Sequence, residues 1–216
     1  MQNILITTSF APDAVIIGNG DFPTAEIPLA AISNARYVCC CDGAAACYIS
    51  RGFVPDAIVG DGDSLDEVFK EKYRDILHII DEQDDNDQTK ATRHCLSMGF
   101  RSIAYVGATG KREDHTLGNI SLIERYRNEM GIDAVMLTDH GYFVAAEGDA
   151  EFETFAGQQV SIFNFSCSRI ESRGLKWNSY AYGSWWQGTL NEATDNSVKF
   201  CADGRYLVFR TYKGKI

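Results

Sequence analysis

Six short apolar runs, separated by stretches of helical periodicity, set the tightest limit on what this chain can fold into. They cover residues 14–18, 36–41, 57–60, 76–80, 102–107 and 134–138. None alternates apolar with polar residues. A strand that is apolar at consecutive positions is buried on both faces, the condition of a parallel sheet covered by helices. Between the runs, residues 44–51 are alanine-rich and residues 65–73 are amphipathic. Residues 87–98 carry Ala91, Cys95, Leu96 and Met98 near helical spacing before Gly99. Residues 113–130 gather Leu117, Ile120, Leu122 and Ile123 on one broad face before Gly131. Such a βαβ rhythm predicts an α/β domain with a mostly parallel sheet.

The texture changes near residue 140. Residues 141–146, 150–155, 159–165, 174–177, 197–202 and 206–212 read as strands, punctuated by Gly, Asn and Ser, and no helix-length period appears. This predicts a small all-β domain, with domains at 1–140 and 141–216. At 216 residues and 45% hydrophobic, the chain can bury a core. No apolar run approaches the ~20 residues that span a bilayer. Met1-Gln2-Asn3 lacks a basic start, and Pro12 and Asp13 interrupt the apolar stretch, which argues against a signal peptide.

The net charge of −10 comes without a basic face and excludes a general nucleic-acid binder. An acidic protein still binds a polyphosphate when metal ions neutralise both sides. The seven cysteines include no CxxC pair, which argues against zinc. Cys39, Cys40 and Cys41 fall on one predicted strand, point to opposite faces in turn and read as small core residues. A reduced, cytoplasmic setting is expected.

In an open α/β sheet, ligands bind at the carboxyl ends of the strands. Here those ends hold most of the polar chemistry. Asp42-Gly43 follows the second run. Gly60-Asp61-Gly62-Asp63-Ser64 follows the third, Gln83-Asp84-Asp85-Asn86-Asp87-Gln88 the fourth, and Gly107-Ala108-Thr109-Gly110-Lys111-Arg112-Glu113-Asp114-His115 the fifth. Asp61 and Asp63, separated by a glycine, can aim two hard oxygen ligands at one Mg²⁺, an ion that takes few carboxylates plus phosphates. The later ligands of an EF-hand are missing. Ser64 is expected to cap a helix from Leu65, with Glu67 completing a capping box. The 84–87 run is by default a solvated loop with Asp87 as an N-cap. One of its carboxylates is also a candidate remote third ligand. Residues 107–112 lack P-loop spacing, yet their backbone N–H groups at a helix start, with Lys111 and Arg112, can cradle phosphate. Asp114 and His115 fall in that helix's first turn. The aromatic stretches Gly174-Leu175-Lys176-Trp177 and Trp185-Trp186 read first as core or interface.

In this order, the five motifs and Asn191-Glu192 resemble the thiamine pyrophosphokinase family. The resemblance implies an N-terminal Rossmann-like α/β domain and a C-terminal all-β sandwich. It further implies a homodimer with active sites at the subunit interface, and transfer of pyrophosphate from ATP to thiamine with release of AMP. By matched motif, Asp61, Asp63 and Asp87 are the expected Mg²⁺ ligands and catalytic carboxylates. Asp42, Gly43, Gly107, Thr109, Gly110, Lys111, Arg112, Asp114 and His115 are the expected nucleotide residues. Gln83, Asn86, Thr189 and Asn191 are the expected thiamine residues. The chain departs from the family at Asn86, where Thr is usual, and at Leu190, where Ser is usual. The second change removes a hydroxyl, so Thr189 or a backbone group takes its place. Trp185 and Trp186 are both open as the ring that stacks on thiamine. A metal-dependent nucleotide hydrolase would need the same carboxylates without a thiamine pocket. A non-catalytic thiamine or nucleotide sensor would bind without turnover.

Overall fold

The structure, a computed structural model, describes residues 3–214 and divides into two compact units. One comprises residues 8–122 and 137–139; the other takes the remaining described residues, including 123–136.

In the first unit the strands are β1 (Ala14–Ile17), β2 (Tyr37–Cys41), β3 (Ala57–Gly60), β4 (Leu77–Ile79) and β5 (Ser102–Val106), in the spatial order β5-β1-β2-β3-β4. Every pairing among them is parallel. β1, β3 and β5 are buried at each position, as consecutive apolar residues require, whereas β4 at the edge is largely open. Cys39, Cys40 and Cys41 are buried free thiols in β2. The helices are α1 (Glu26–Asn34), α2 (Asp42–Ser50), α3 (Glu67–Lys72), α4 (Asp87–Ser97) and α5 (Glu113–Asn128), the last running from the first unit into the second.

Three local expectations change. α1 went unread because Pro23 and Pro28 break up residues 22–34; Pro28 sits in the first turn, where a missing N–H costs nothing. The expected 65–73 helix is the short α3, capped by Asp66, whose Oδ1 accepts from Phe69 N at 2.7 Å; Ser64 lies outside it. The cap of α4 is Asn86, accepting from Thr89 N at 3.0 Å, so Asp87 is the first helical residue.

The second unit holds β6 (Asp133–Leu137, all but its last residue), β7 (Gly141–Glu147), β8 (Ala150–Glu153), β9 (Gln158–Asn164), β10 (Ile170–Arg173), β11 (Asn191–Glu192), β12 (Ser197–Ala202) and β13 (Arg205–Gly214). β11-β9-β13-β7-β6 form one run and β10-β12-β8 a separate antiparallel sheet. The strand expected at 174–177 lies four residues earlier, as β10. Gly174, at φ +87°, turns the chain out of the ladder and leaves Leu175 one isolated bridge to Ala193.

Between these sheets, Phe200 meets Tyr206 at 5.4 Å, and the fully buried Arg210 lies over the rings of Tyr142 and Phe152 at 4.7 and 5.1 Å. Its guanidinium donates to the carbonyls of Glu153 at 2.6 Å, Ile4 at 3.2 Å and Asn3 at 3.4 Å, tying the N-terminal segment to β8. Truncating this side chain removes two ring contacts and three part-buried hydrogen bonds to backbone carbonyls. Arg210→Ala is expected to lower unfolding free energy by about 3 kcal/mol, read as a lower urea midpoint.

Candidate functional site

The order β5-β1-β2-β3-β4 puts the switch point between β1 and β5, since successive strands run outward from β1 on one side and β5 lies on the other. The loops leaving these two strands interlock. Gly18 N donates to Val106 O at 2.9 Å, Gly20 N to Gly107 O at 2.6 Å and Asp21 N to Thr109 O at 2.8 Å. A Cβ on Gly20 would stand 2.2 Å from Thr109 O, and one on Gly110 would meet the Asp21 carboxylate at 2.4 Å. Glycine is therefore the residue that lets the two backbones touch.

Above this seam lies a cavity of 580 Å³ in the first unit. The ends of β1, β2, β3 and β5, the loop after β4 and the start of α5 all reach it. Asp61, Gln83, Asn86 and Asp87 line it, as do Thr109, Lys111, Arg112 and His115. Other residues expected at the site support its wall. Asp42 is buried and accepts from the N–H groups of Gly43 and, at 3.1 Å, Gly62. A Cβ on Gly60 would sit 2.8 Å from the Asp42 carboxyl, and one on Gly43 would strike the Asn19 amide. Gly107 and Gly110 hold positive φ in the interlocked loop. Asp114 bonds Arg112 Nε at 3.1 Å and His115 N at 2.9 Å; Arg112, then the His115 N–H, holds its carboxyl down to about 2.

Asp61 and Asp87 are driven apart electrostatically. The Asp63 N–H, at 3.1 Å from Asp61 Oδ1, is the main cause that lowers Asp61. Burial, then Asp42 and Asp61, push Asp87 up to about 6 against the pull of Lys90. Asp63 itself is exposed and does not line the cavity. Among the described residues, no group of three or more His, Cys, Asp or Glu side chains is gathered to hold a metal alone. Asp61 and Asp87, two of the lining carboxylates, still fit Mg²⁺, an ion that takes few carboxylates along with phosphate oxygens and water. Asp87, half-buried and near the charges of Asp42 and Asp61, is an anion in need of a cation.

The lining also includes residues that the sequence reading does not single out, among them Asn19, Lys90 and Asn119. Gly18-Asn19-Gly20 ends the first apolar run, a signal as legible as Asp42-Gly43. Lys90 and Asn119 stand within helical patterns and carry no mark in the sequence. Asn19 Oδ1 accepts from Lys111 Nζ at 3.1 Å. Asn119 joins two walls: its Nδ2 donates to Ala108 O at 2.8 Å, and its Oδ1 accepts from Asn86 Nδ2 at 3.1 Å. On the acidic loop, Arg93 bonds both oxygens of Glu82 at 2.9 and 3.1 Å and also pairs with Asp85.

Thr189 and Asn191 belong to the second unit. Thr189 Oγ1 donates to Trp186 O at 2.7 Å. Asn191 is buried, accepting from Trp177 N at 3.2 Å and donating to Trp177 O at 2.8 Å, so its amide holds the bend at Trp177. Leu190 between them is exposed at φ +65°, a strained region for a branched residue. Trp186 is 75% exposed and Trp185 41%; the Trp185 ring lies 5.7 Å from Phe165.

A parallel sheet with a polar cavity at its switch point defines the first unit as Rossmann-like. Residues 29–135 match the family described as thiamin pyrophosphokinase, catalytic domain, and residues 141–209 its substrate-binding domain. The chain belongs to the thiamin pyrophosphokinase family. It is 36% identical over 178 residues to thiamine pyrophosphokinase 1 of Oryza sativa subsp. japonica, covering 70% of this chain and 64% of that one. Thiamin pyrophosphokinase 1 of Caenorhabditis elegans is 32% identical over 103 residues, covering 44% of this chain and 42% of that one. The matches thus span less than two thirds of either relative. Among solved structures, thiamine pyrophosphokinase from Bacillus subtilis superposes with a TM-score of 0.72 at 21% identity, covering 92% of this chain and 98% of that one. Yeast thiamin pyrophosphokinase does so at 0.76 and 15%, covering 97% and 90%. At these identities the structural likeness speaks for the fold alone.

The amide chain from Asn86 through Asn119 to Ala108 generates a measurable coupling. Asn119→Ala is expected to cost about 1–2 kcal/mol of stability. In a double-mutant cycle with Asn86→Ala in urea, the two losses should fall short of additivity by about 0.5–1 kcal/mol. Full additivity would show that the chain does not act as one unit.

Proposed function

We propose that the protein is a thiamine pyrophosphokinase: it transfers the pyrophosphoryl group of ATP to the hydroxyl of thiamine, giving thiamine diphosphate and AMP. The observation that carries this reading is that Asp61, Gln83 to Asp87, Thr109, Lys111 and Arg112, far apart in sequence, line one cavity in the unit matched by the family's catalytic domain. Residues 1–140 would bind ATP and metal, and 141–216 would serve thiamine binding and dimerisation.

Catalysis here is positioning and charge neutralisation. Asp61 and Asp87, with Asp63 as the third carboxylate of the set, would hold Mg²⁺. When bound, the ion neutralises the polyphosphate and polarises its oxygens. Arg112 and Lys111 steady the phosphates, with Asp114 fixing the Arg112 fork and His115 beside it. Asp42 and Gly43, with Gly107, Thr109 and Gly110, shape the nucleotide seat. Gln83, Asn86, Thr189 and Asn191 serve thiamine. An aspartate of the cavity takes the hydroxyl proton, the hydroxyl oxygen bonds to the β-phosphorus, and the bond from that phosphorus to the oxygen retained by AMP breaks.

Exposed Trp177, Tyr180, Trp186 and Leu190 in the second unit are the surface that a second copy would cover in a homodimer with active sites at the subunit interface. Seven free thiols suit a reduced cytoplasmic setting. Among the described residues no helix is long and apolar enough to cross a membrane.

Purified protein with Mg²⁺, ATP and thiamine is expected to form AMP and thiamine diphosphate in equal amounts, and chelation by EDTA to stop it. AMP formed without thiamine would indicate a nucleotide hydrolase; thiamine binding without turnover would indicate a sensor. Asp87→Asn is expected to lower kcat at least about 100-fold with little change in thermal midpoint. Near-wild-type turnover in that variant would remove Asp87 from the metal set.

A further inference from the structure

Lys90 lies one helical turn after Asp87 in α4 and lines the cavity, yet its side chain is only 2% exposed. Lysine reaches such depth only where something engages its charge. The ionic contact to its Nζ comes from Asp87 Oδ1 at 3.7 Å, beyond hydrogen-bond length. An ammonium carries three donors, and this contact uses one at most.

The other cations of the cavity differ. Lys111 is exposed and bonded to Asn19; Arg112 is exposed and forked onto Asp114. Each can swing into solvent. Lys90, with its side chain only 2% exposed, has no such freedom. A polyphosphate entering this cavity meets the like charges of Asp61, Asp84, Asp85 and Asp87. A fixed interior cation removes part of that repulsion and loses little rotamer freedom on binding.

We propose that Lys90 is a phosphate-binding residue, its ammonium holding a non-bridging oxygen of the nucleotide's polyphosphate. This rests on the cavity being the nucleotide site. The alternative is a structural role in which Lys90 only neutralises Asp87.

Inorganic tripolyphosphate separates the two roles, because its binding in EDTA involves neither metal nor turnover. Titration calorimetry should show Lys90→Met binding it about 10- to 100-fold more weakly than wild type, with Lys90→Arg recovering much of the loss. Equal affinity in wild type and Lys90→Met, or binding by neither, overturns the proposal. Should the variants not fold, the wild-type chain still serves. A pyridoxal ester of an adenosine polyphosphate condenses with a nearby lysine amine, releasing water, and borohydride reduces the imine to a stable amine. The peptide bearing Lys90 should carry the label, and excess tripolyphosphate should protect it. Labelling at Lys111 alone overturns the proposal. Absence of thiamine-dependent turnover in the wild type would sink the assigned reaction but leave these binding measurements intact.

Discussion

Repulsion among carboxylates gathered at one sheet edge is the constraint on which this structure turns. Asp61, Asp84, Asp85 and Asp87 line one cavity, and Asp42 is buried behind it. Left alone, such a set would spread apart or bind protons. The fold answers each member differently. Backbone N–H groups serve Asp42 and Asp61, Arg93 draws in Asp85 and Glu82, and Lys90 stands beside Asp87. Asp87 keeps a raised pKa even so, and that residual demand for positive charge is what a divalent ion meets.

The second unit handles polarity by the opposite means. Its most buried cation, Arg210, is held by aromatic faces and backbone carbonyls. Delocalised guanidinium charge tolerates such surroundings better than a compact ammonium would. The same fork holds the first described residues of the chain, so segments distant in sequence share one anchor.

The α/β order and most strand limits were legible because the apolar runs are short, end at Gly or polar turn residues and alternate with longer helical stretches. β1, β3 and β5 lie within a residue of their expected ends. Errors fell where one local preference outweighed another. Asp66 displaced Ser64 as the cap of α3, and Gly174 moved a strand to β10. At the site, Asp61, Asp87 and the 107–112 loop were legible from their places after strands. Lys90 and Asn119 were not, because a lysine or asparagine in a helical pattern looks solvated until the tertiary structure shows what surrounds it. Asp63 matches its partner Asp61 in sequence; its backbone N–H donates to Asp61, and its own carboxylate is exposed.

The interlocked loops after β1 and β5 carry an evolutionary consequence. Gly20 leaves no space for a side chain beside Thr109, and Gly110 leaves none beside Asp21. A larger residue at 20 pushes the 107–109 backbone away, and one at 110 displaces the Asp21 side chain; either opens the floor of the cavity. Neither loop can drift alone, so across descendants of this chain residues 18–21 and 107–110 should be inherited as a matched pair, and a graft of one loop from a distant homologue should succeed only when the other travels with it.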